Sequence, residues 1–306
     1  MMKIINSPYF GELSALFAAL CWSVAVIIFK SASKEISPLL ITALKNSIAL
    51  LLFLIAFIIF DIPFWYGGFN NIDYFKIILS GCLGMGIADI LFITALSKIG
   101  ANRVAIINCF EPAVIYIFSI FMIGTFLTIQ QLFGFIIVVL SILIISYEKD
   151  KFEIEKKIKL YGICIQLVAV ILSSFGIVLI KPSLSLINDS IELQIWVTVF
   201  RLFPGFVLSW IIFLFTKNKI NSLNPLMQSR VIWKILISSG LGTFLALSFW
   251  IIGYANIEKP PVASIIGQTS VIFILILSYL ILNEKITKLR IISIITAVFG
   301  VILITI

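Results

Sequence analysis

Long apolar stretches follow one another along nearly the whole chain, separated by short polar segments. Each stretch holds about 20 residues, and a helix that rises about 1.5 Å per residue crosses the hydrocarbon core of a bilayer with that length. The separating segments contain turn and helix-breaking residues, as at Ser37-Pro38 and Pro260-Pro261. The pattern predicts ten transmembrane helices, at residues 10–30, 37–60, 74–97, 101–124, 128–147, 159–181, 192–215, 231–255, 261–282 and 287–306.

The composition agrees with a chain that has lipid as its main solvent. Of the 306 residues, 61% are hydrophobic and 12% are charged, and the mean hydropathy is +1.20. A soluble domain carries about 25% charged residues to keep its surface hydrated. We therefore expect an all-α, polytopic, multi-pass integral membrane protein whose main partner is the lipid bilayer.

Charge and cysteine content exclude several other classes. The net charge of +8 does not indicate nucleic-acid binding, because the Lys and Arg residues fall mostly in short connections that flank apolar stretches. The four cysteines lie inside apolar spans without CxxC spacing, and the chain contains no histidine, the commonest metal ligand. The sequence therefore predicts no metal, no cofactor and no disulfide framework, and any proton chemistry must use carboxylates.

The two halves of the chain resemble each other. A charged linker at 148–158 separates residues 1–147 from residues 159–306, and each half holds five predicted helices. One constant offset pairs Lys76 with Lys234, Ser80 with Ser238, Gly84 with Gly242, Ala88 with Ala246 and Val104-Ala105 with Val262-Ala263. Because five is odd, the second half enters the membrane from the opposite side. The sequence thus predicts a 5+5 inverted repeat.

An inverted repeat has a functional consequence. Two copies inserted in opposite senses can exchange conformations and so open one site near the midplane alternately to either side. This symmetry favours transport of a small-molecule cargo, whereas catalysis and simple anchoring do not require it.

Short motifs recur along the chain in an order typical of one family. They are Gly11 through Trp22-Ser23 to Lys30, Ser37-Pro38 followed by Lys45, Glu111-Pro112-Ala-Val, Asn283-Glu284-Lys285-Ile-Thr287, and Gly300 in the closing stretch. With these motifs the chain resembles, over nearly its whole length, the EamA-type ten-helix permeases of the drug/metabolite transporter superfamily. The resemblance implies a carrier of amino acids, nucleosides, nucleotide sugars or other small organic molecules, in the cytoplasmic (inner) membrane of a bacterium.

Three positions depart from the pattern of that family. The first-half turn at Gly124-Thr125 lacks the usual acidic residue, Ser270 stands where the first half has Pro112, and Asn283 replaces the turn glycine.

Four charged residues lie deep inside predicted spans, namely Lys45, Asp89, Glu111 and Arg201. Each costs roughly 2.5 to 3.5 kcal/mol on insertion scales, so each is a candidate for function. Lys45 and Arg201 lie at similar depths in the second helix of each half, which suggests a shared structural role, either tethering a carbonyl cluster or snorkelling to the headgroups.

The two acids occur in the first half alone. The second-half residues that align with them, Leu247 and Thr269, are uncharged. We predict that Asp89 or Glu111 faces a central cavity and binds an amine of the cargo, a coupling proton or a counter-ion. The alternative is an ion pair with Lys45 or Arg201 that holds helices together.

Other residues have a structural and a functional interpretation. Trp22 and Trp250 lie in mid-span, where they either stack on an aromatic cargo or fill the core of the bundle. Lys30 and Lys181 are predicted to be interfacial anchors. Pro112 is expected to kink the fourth helix beside Glu111.

The leading interpretation is a secondary-active exporter of small organic metabolites, such as amino acids or nucleosides. The chain has no GxxxxGK[ST] motif, so ATP hydrolysis by a P-loop is not expected. The alternative is a translocator of nucleotide sugars or lipid-linked substrates, with a cationic cavity built from Lys30, Lys45, Lys181 and Arg201. A membrane-embedded enzyme or a structural subunit is less favoured, and we expect no catalytic residues.

The orientation in the membrane is left open. Loop Lys and Arg residues concentrate after the odd-numbered helices, which by the positive-inside rule places both termini outside the cytoplasm. Ten-helix relatives are generally thought to keep both termini inside.

Overall fold

The computed structural model describes residues 9–146, 155–216, 221–282 and 288–305, and within these ranges the chain is helical and contains no strand. The helices are α1 (Phe10–Ala32), α2 (Pro38–Ile59), α3 (Asn71–Gly100), α4 (101–108), α5 (Glu111–Ile123), α6 (Ile129–Ser146), α7 (Lys156–Ser185), α8 (Ile191–Leu214), α9 (Ser229–Asn256), α10 (Pro260–Gly267), α11 (Ser270–Leu282) and α12 (Lys288–Thr305). The predicted all-α, polytopic membrane fold is confirmed.

Local sequence signals set where the helices begin. Ser37 caps α2 by accepting a hydrogen bond from the amide of Leu40, and Pro38 occupies the first turn, where its missing N–H is not needed. Asn70 and Asp73 form a reciprocal capping box at the start of α3. Ser190 caps α8 in the same way as Ser37 caps α2.

Among the described residues, six helices are long and apolar enough to cross a membrane: α1, α2, α3, α7, α8 and α9. The fourth and ninth predicted spans are each divided into two shorter helices, α4 with α5 and α10 with α11. The kink predicted at Pro112 is therefore wrong, because no continuous helix passes through this residue. Pro112 lies in the first turn of α5, where proline is well tolerated.

The repeat is visible in the backbone itself. Both α3 and α9 contain an eight-residue π-helical segment, Gly81–Ala88 in the first and Ser239–Ala246 in the second. The two segments are separated by the same number of residues that separates Lys76 from Lys234. π-helical turns are rare and occur often at functional sites. Their recurrence at matched positions supports the inverted repeat.

The halves interlock instead of standing side by side. The π-helical segment of α3 packs against α7 and α8 of the second half, while that of α9 packs against α1 and α2 of the first. Glycines make the close approach possible. A Cβ added to Gly81 would lie 2.0 Å from the carbonyl oxygen of Arg201, and one added to Gly242 would lie 2.7 Å from the Cβ of Ala25.

The predicted interfacial anchors have a different role. Lys30 Nζ donates to the carbonyl of Leu96 at 2.9 Å, and Lys181 Nζ donates to the carbonyls of Tyr254 and Ile257, both at 2.7 Å. Each lysine ties the first helix of its half to the end of the third, where helix carbonyls lack partners. Lys181 is only 4% exposed, so it does not reach a headgroup region and the anchor prediction is wrong for it.

Two predicted segments lie partly or wholly outside the described residues. Helix α7 begins at Lys156, inside the predicted linker 148–158, and residues 148–154 lie outside the described ranges. The turn motif from Asn283 to Thr287 lies outside them as well.

Candidate functional site

A cavity lies at the contact between the two halves, lined by residues of α1 to α5 and α7 to α11. The space open to the centre of a water molecule is about 140 Å³, below the roughly 300 to 1,000 Å³ of pockets for drug-sized ligands, so in this conformation the cavity fits only a small molecule. The lining is mostly apolar with a few polar side chains. It includes all the candidate residues of the sequence, namely Trp22, Lys45, Asp89, Glu111, Arg201 and Trp250.

Lys45 forms an ion pair with Asp89, with 2.5 Å between Nζ and Oδ2. Asp89 is the first residue after the π-helical segment of α3, and this position turns its carboxylate towards α2. Lys45 Nζ also donates to Asn46 Oδ1 at 3.1 Å, and Asn46 Nδ2 donates to the carbonyl of Met85 at 3.2 Å. Lys45 is 2% exposed, so the snorkelling interpretation is wrong for it.

Arg201 is also buried, with 3% of its surface exposed, but it has a different partner. Its Nε donates to Ser80 Oγ at 2.8 Å, and Ser80 in turn donates to the carbonyl of Gly176 at 2.7 Å. Room for the guanidinium comes from Gly84, where a Cβ would lie 2.8 Å from Nη2. Within the described residues, its two terminal nitrogens carry no hydrogen bond and no ion pair.

Glu111 begins α5, so its carboxylate lies at a helix N-terminus in mid-span, where the helix dipole favours negative charge. Its Oε2 accepts a hydrogen bond from Gln268 Nε2 at 3.1 Å. Gln268 lies in the break between α10 and α11, so the two broken spans meet at the cavity. Glu111 is the first residue of α5, and Ser270 is the first residue of α11, the equivalent helix of the second half. Ser270 is one residue away from Thr269, the position that the constant offset assigns to Glu111.

These four residues, Lys45, Asp89, Glu111 and Arg201, are called the charged centre below. Arg201 lies within reach of the fields of Asp89 and Glu111, although neither carboxylate pairs with it directly. Two acids and two bases thus surround one cavity. The prediction that Lys45 and Arg201 share one structural role is wrong, because their hydrogen-bond partners differ.

The two tryptophans each contact another ring beside the cavity. The ring of Trp22 lies 5.5 Å from that of Phe92, and the ring of Trp250 lies 5.7 Å from that of Tyr254, measured between centroids. Both indoles therefore pack in the bundle and line the cavity together, so the two interpretations of these residues are compatible.

Several polar residues of the cavity were missed from the sequence. Gln166 Nε2 donates to Asn108 Oδ1 at 2.7 Å, and Thr243, Ser264 and Gln268 line the wall as well. A search for amide side chains inside apolar spans would have found the amides among them. Over the described ranges, no group of three or more Cys, Asp or Glu side chains could hold a metal ion.

Comparison with known proteins agrees with this architecture. The model of the EamA-like transporter family matches the chain twice, at residues 9–147 and 160–306. One solved structure, titled only as the crystal structure of a protein, is similar in fold, with a TM-score of 0.75 at 14% sequence identity. The match covers 97% of this chain and 96% of the other. No curated protein matches the chain.

The family model covers almost the whole chain in two copies, on a fold of two interlocked helical repeats around a central cavity. The chain therefore belongs to the EamA-like transporter family and is a multi-pass membrane transporter of the drug/metabolite transporter superfamily.

Proposed function

We propose that this transporter is a secondary carrier that exports small organic metabolites, such as amino acids or nucleosides, by alternating access between its two halves. The observation that carries the proposal is the charged centre around one cavity. Charged side chains inside a membrane span are costly and usually mark a substrate or ion pathway.

The charged centre offers separate partners for opposite charges of a cargo. Asp89 is already paired with Lys45, whereas Glu111 accepts a hydrogen bond only from a neutral amide among the described residues. Glu111 is therefore the acid that we propose for an amine of the cargo or for a coupling proton. The terminal nitrogens of Arg201 suit a carboxylate, because a guanidinium binds carboxylates through two parallel hydrogen bonds.

Features of the backbone favour movement around this site. The π-helical segments of α3 and α9 and the breaks in the fourth and ninth spans all border the cavity. Such interruptions weaken the continuous hydrogen-bond ladder of a helix and give it a place to bend. Their occurrence in both halves suits an exchange of conformations between the repeats.

The alternative cargo, a nucleotide sugar or a lipid-linked phosphate, is less well supported. It depends on a cationic cavity, but Lys30 and Lys181 donate to main-chain carbonyls and do not line the cavity. Of the remaining two cations, Lys45 is neutralised by Asp89. Arg201 alone would have to hold a polyanion, next to Glu111.

The test is transport by purified protein in liposomes that mimic the cytoplasmic membrane of a bacterium, with counterflow of labelled amino acids, nucleosides and nucleotide sugars. We expect counterflow of an amino acid or a nucleoside, with a dependence on pH that Glu111→Gln abolishes. The matched control is Glu258→Gln, because Glu258 is exposed in the connection after α9. Unchanged transport and pH dependence in both Glu111→Gln and Asp89→Asn would contradict the role of the acids.

A further inference from the structure

Four buried polar atoms on one side of the cavity have no hydrogen-bond partner among the described residues: Thr243 Oγ1, Trp250 Nε1, Tyr254 Oη and Ser264 Oγ. Thr243 and Trp250 are seven residues apart on α9, which places them on one face of the helix, two turns apart. Thr243, Trp250 and Ser264 line the cavity. The Tyr254 hydroxyl lies behind Ser264 and Trp250 and interacts with both, but neither contact reaches the geometry of a normal hydrogen bond.

Such a group is unusual, because more than nine in ten buried polar groups are hydrogen-bonded. Serine hydroxyls in helices normally donate to a carbonyl of the preceding turn, as Ser238 and Ser248 do on this same helix, at 2.6 and 2.7 Å. Thr243 lies within the π-helical segment, where the carbonyl four residues back is displaced from its α-helical position. The π-helical turn thus leaves this hydroxyl without its local partner.

We infer that Thr243, Trp250 and Ser264 form an uncharged subsite, which hydrogen-bonds a hydroxyl, carbonyl or amide of the cargo while the charged centre binds its ionic group. This inference rests on the proposed function. In the present conformation the four polar atoms are covered, and the hydroxyls of Thr243 and Ser264 turn towards the cargo by rotation about χ1.

The chemistry of the subsite selects a neutral polar group. The indole Nε1 is a donor only, and each hydroxyl both donates and accepts. Tyr254 lies within the field of Glu111, so the subsite borders the charged centre and one small molecule can contact both. A second ionic group bound here would lose its hydration without gaining an opposite charge.

The first half has no equivalent of this subsite. At the offset that relates the two π-helical segments, Thr243 corresponds to Met85 and Trp250 corresponds to Phe92, and both of these first-half residues line the cavity. At these two matched positions the second-half side of the cavity is therefore polar and the first-half side is apolar. The cargo that suits it carries a hydroxyl or amide on one side and a hydrocarbon or ring on the other.

The experiment compares cargo pairs that share the ionic group and differ by one hydroxyl. Counterflow in liposomes is measured for serine against alanine, tyrosine against phenylalanine, and adenosine against 2′-deoxyadenosine. For the transported class, we expect the hydroxylated member to be preferred about tenfold, the effect of one buried hydrogen bond. Thr243→Val and Ser264→Ala are expected to reduce this ratio several-fold, whereas Thr243→Ser retains it.

The chain supplies matched controls. Ser174 and Ser239 also carry buried hydroxyls without partners, but neither residue lines the cavity. Ser174→Ala and Ser239→Ala are expected to leave the preference unchanged, and a melting curve of each variant checks that it is folded.

The outcomes separate the two proposals. The subsite is overturned if the ratio of counterflow between the two members of a pair is the same in wild type, Thr243→Val and Ser264→Ala. The proposed carrier function is unaffected by that result, because it means only that the cargo hydroxyl does not bind these side chains. A folded protein that transports no amino acid and no nucleoside overturns the proposed function itself.

Discussion

Lys30 in the first half and Lys181 in the second make equivalent contacts. Each ammonium donates to main-chain carbonyls at the end of the third helix of its own half, Lys30 to Leu96 and Lys181 to Tyr254. Those two carbonyls correspond at the offset of the repeat. Because both halves have the same lysine-to-carbonyl hydrogen bond, we interpret it as part of the packing of each five-helix repeat.

Lys45 and Arg201 belong to equivalent helices but differ in every contact. Counted from the helix caps, Lys45 comes eight residues after Ser37 and Arg201 eleven residues after Ser190, so Arg201 lies about one turn deeper. Lys45 pairs with Asp89, whereas Arg201 rests on a serine hydroxyl. The symmetric lysines thus hold the repeats in shape, and the asymmetric charges line the cavity.

The largest expected decrease in stability follows the removal of one charge from the Lys45–Asp89 pair. Asp89→Leu, which introduces the residue that the second half has at position 247, leaves a buried ammonium unpaired and lowers the free energy of unfolding by about 3 to 5 kcal/mol. The double variant Lys45→Met/Asp89→Leu is expected to recover most of this stability but not transport. Thermal melting in detergent and counterflow measure the two effects, and a stable single variant would contradict the interpretation.

The symmetric lysines are expected to affect stability alone. Lys181→Met removes two charge-assisted hydrogen bonds and should lower the free energy of unfolding by about 3 kcal/mol, and Lys30→Met removes one and should cost about 1.5 kcal/mol. The hydroxyl preference and pH profile of transport should stay as in wild type. A changed cargo preference in either variant would show that these lysines belong to the site.

Glycines of the two π-helical segments should differ in their tolerance of a methyl group. Gly81→Ala places a Cβ against the backbone of Arg201 and is expected to cost about 1 to 3 kcal/mol of stability. Gly240→Ala meets its nearest atom at 3.8 Å and should be neutral or slightly stabilising. The midpoints of thermal unfolding compare the two, and equal destabilisation would speak against the tight crossing of α3 and α8.

The smallest expected effect concerns a partly exposed ion pair that joins the two halves and that Lys76, the repeat counterpart of one partner, does not reproduce among the described residues. Lys234 Nζ donates to Glu35 Oε1, and this hydrogen bond lowers the pKa of the Glu35 carboxyl below its ordinary value. The pair therefore contributes while Glu35 is ionised, and its contribution is lost as the pH falls through the lowered pKa. Lys76, the counterpart of Lys234, forms no ion pair in the part of the chain described.

Titration of Glu35 by NMR tests this difference. In Lys234→Met its pKa should return towards the ordinary value, whereas Lys76→Met should leave it unchanged. An unaltered titration in Lys234→Met would mean that the contact does not persist in solution.

The charged candidates were predictable from the sequence, but their partners were not. Lys45, Asp89, Glu111 and Arg201 were found because a charge in an apolar span is conspicuous. The pairing of Lys45 with Asp89, and the contact of Arg201 with a serine of the other half, depend on how helices pack, which no local pattern encodes. The uncharged subsite was missed because hydroxyls are common in membrane spans and usually bond to their own helix.

The sequence by itself determined the all-α, multi-pass membrane fold and its two repeats, because insertion into lipid depends chiefly on the hydrophobicity of each segment and repeats can be read by comparison. Only the tertiary structure decided where spans four and nine break, since a short interruption hardly changes the hydrophobicity of a stretch. It also decided that Lys30 and Lys181 serve the scaffold while Lys45 and Arg201 face the cavity. The role of a buried charge follows from the groups around it, and packing brings those groups from distant parts of the chain.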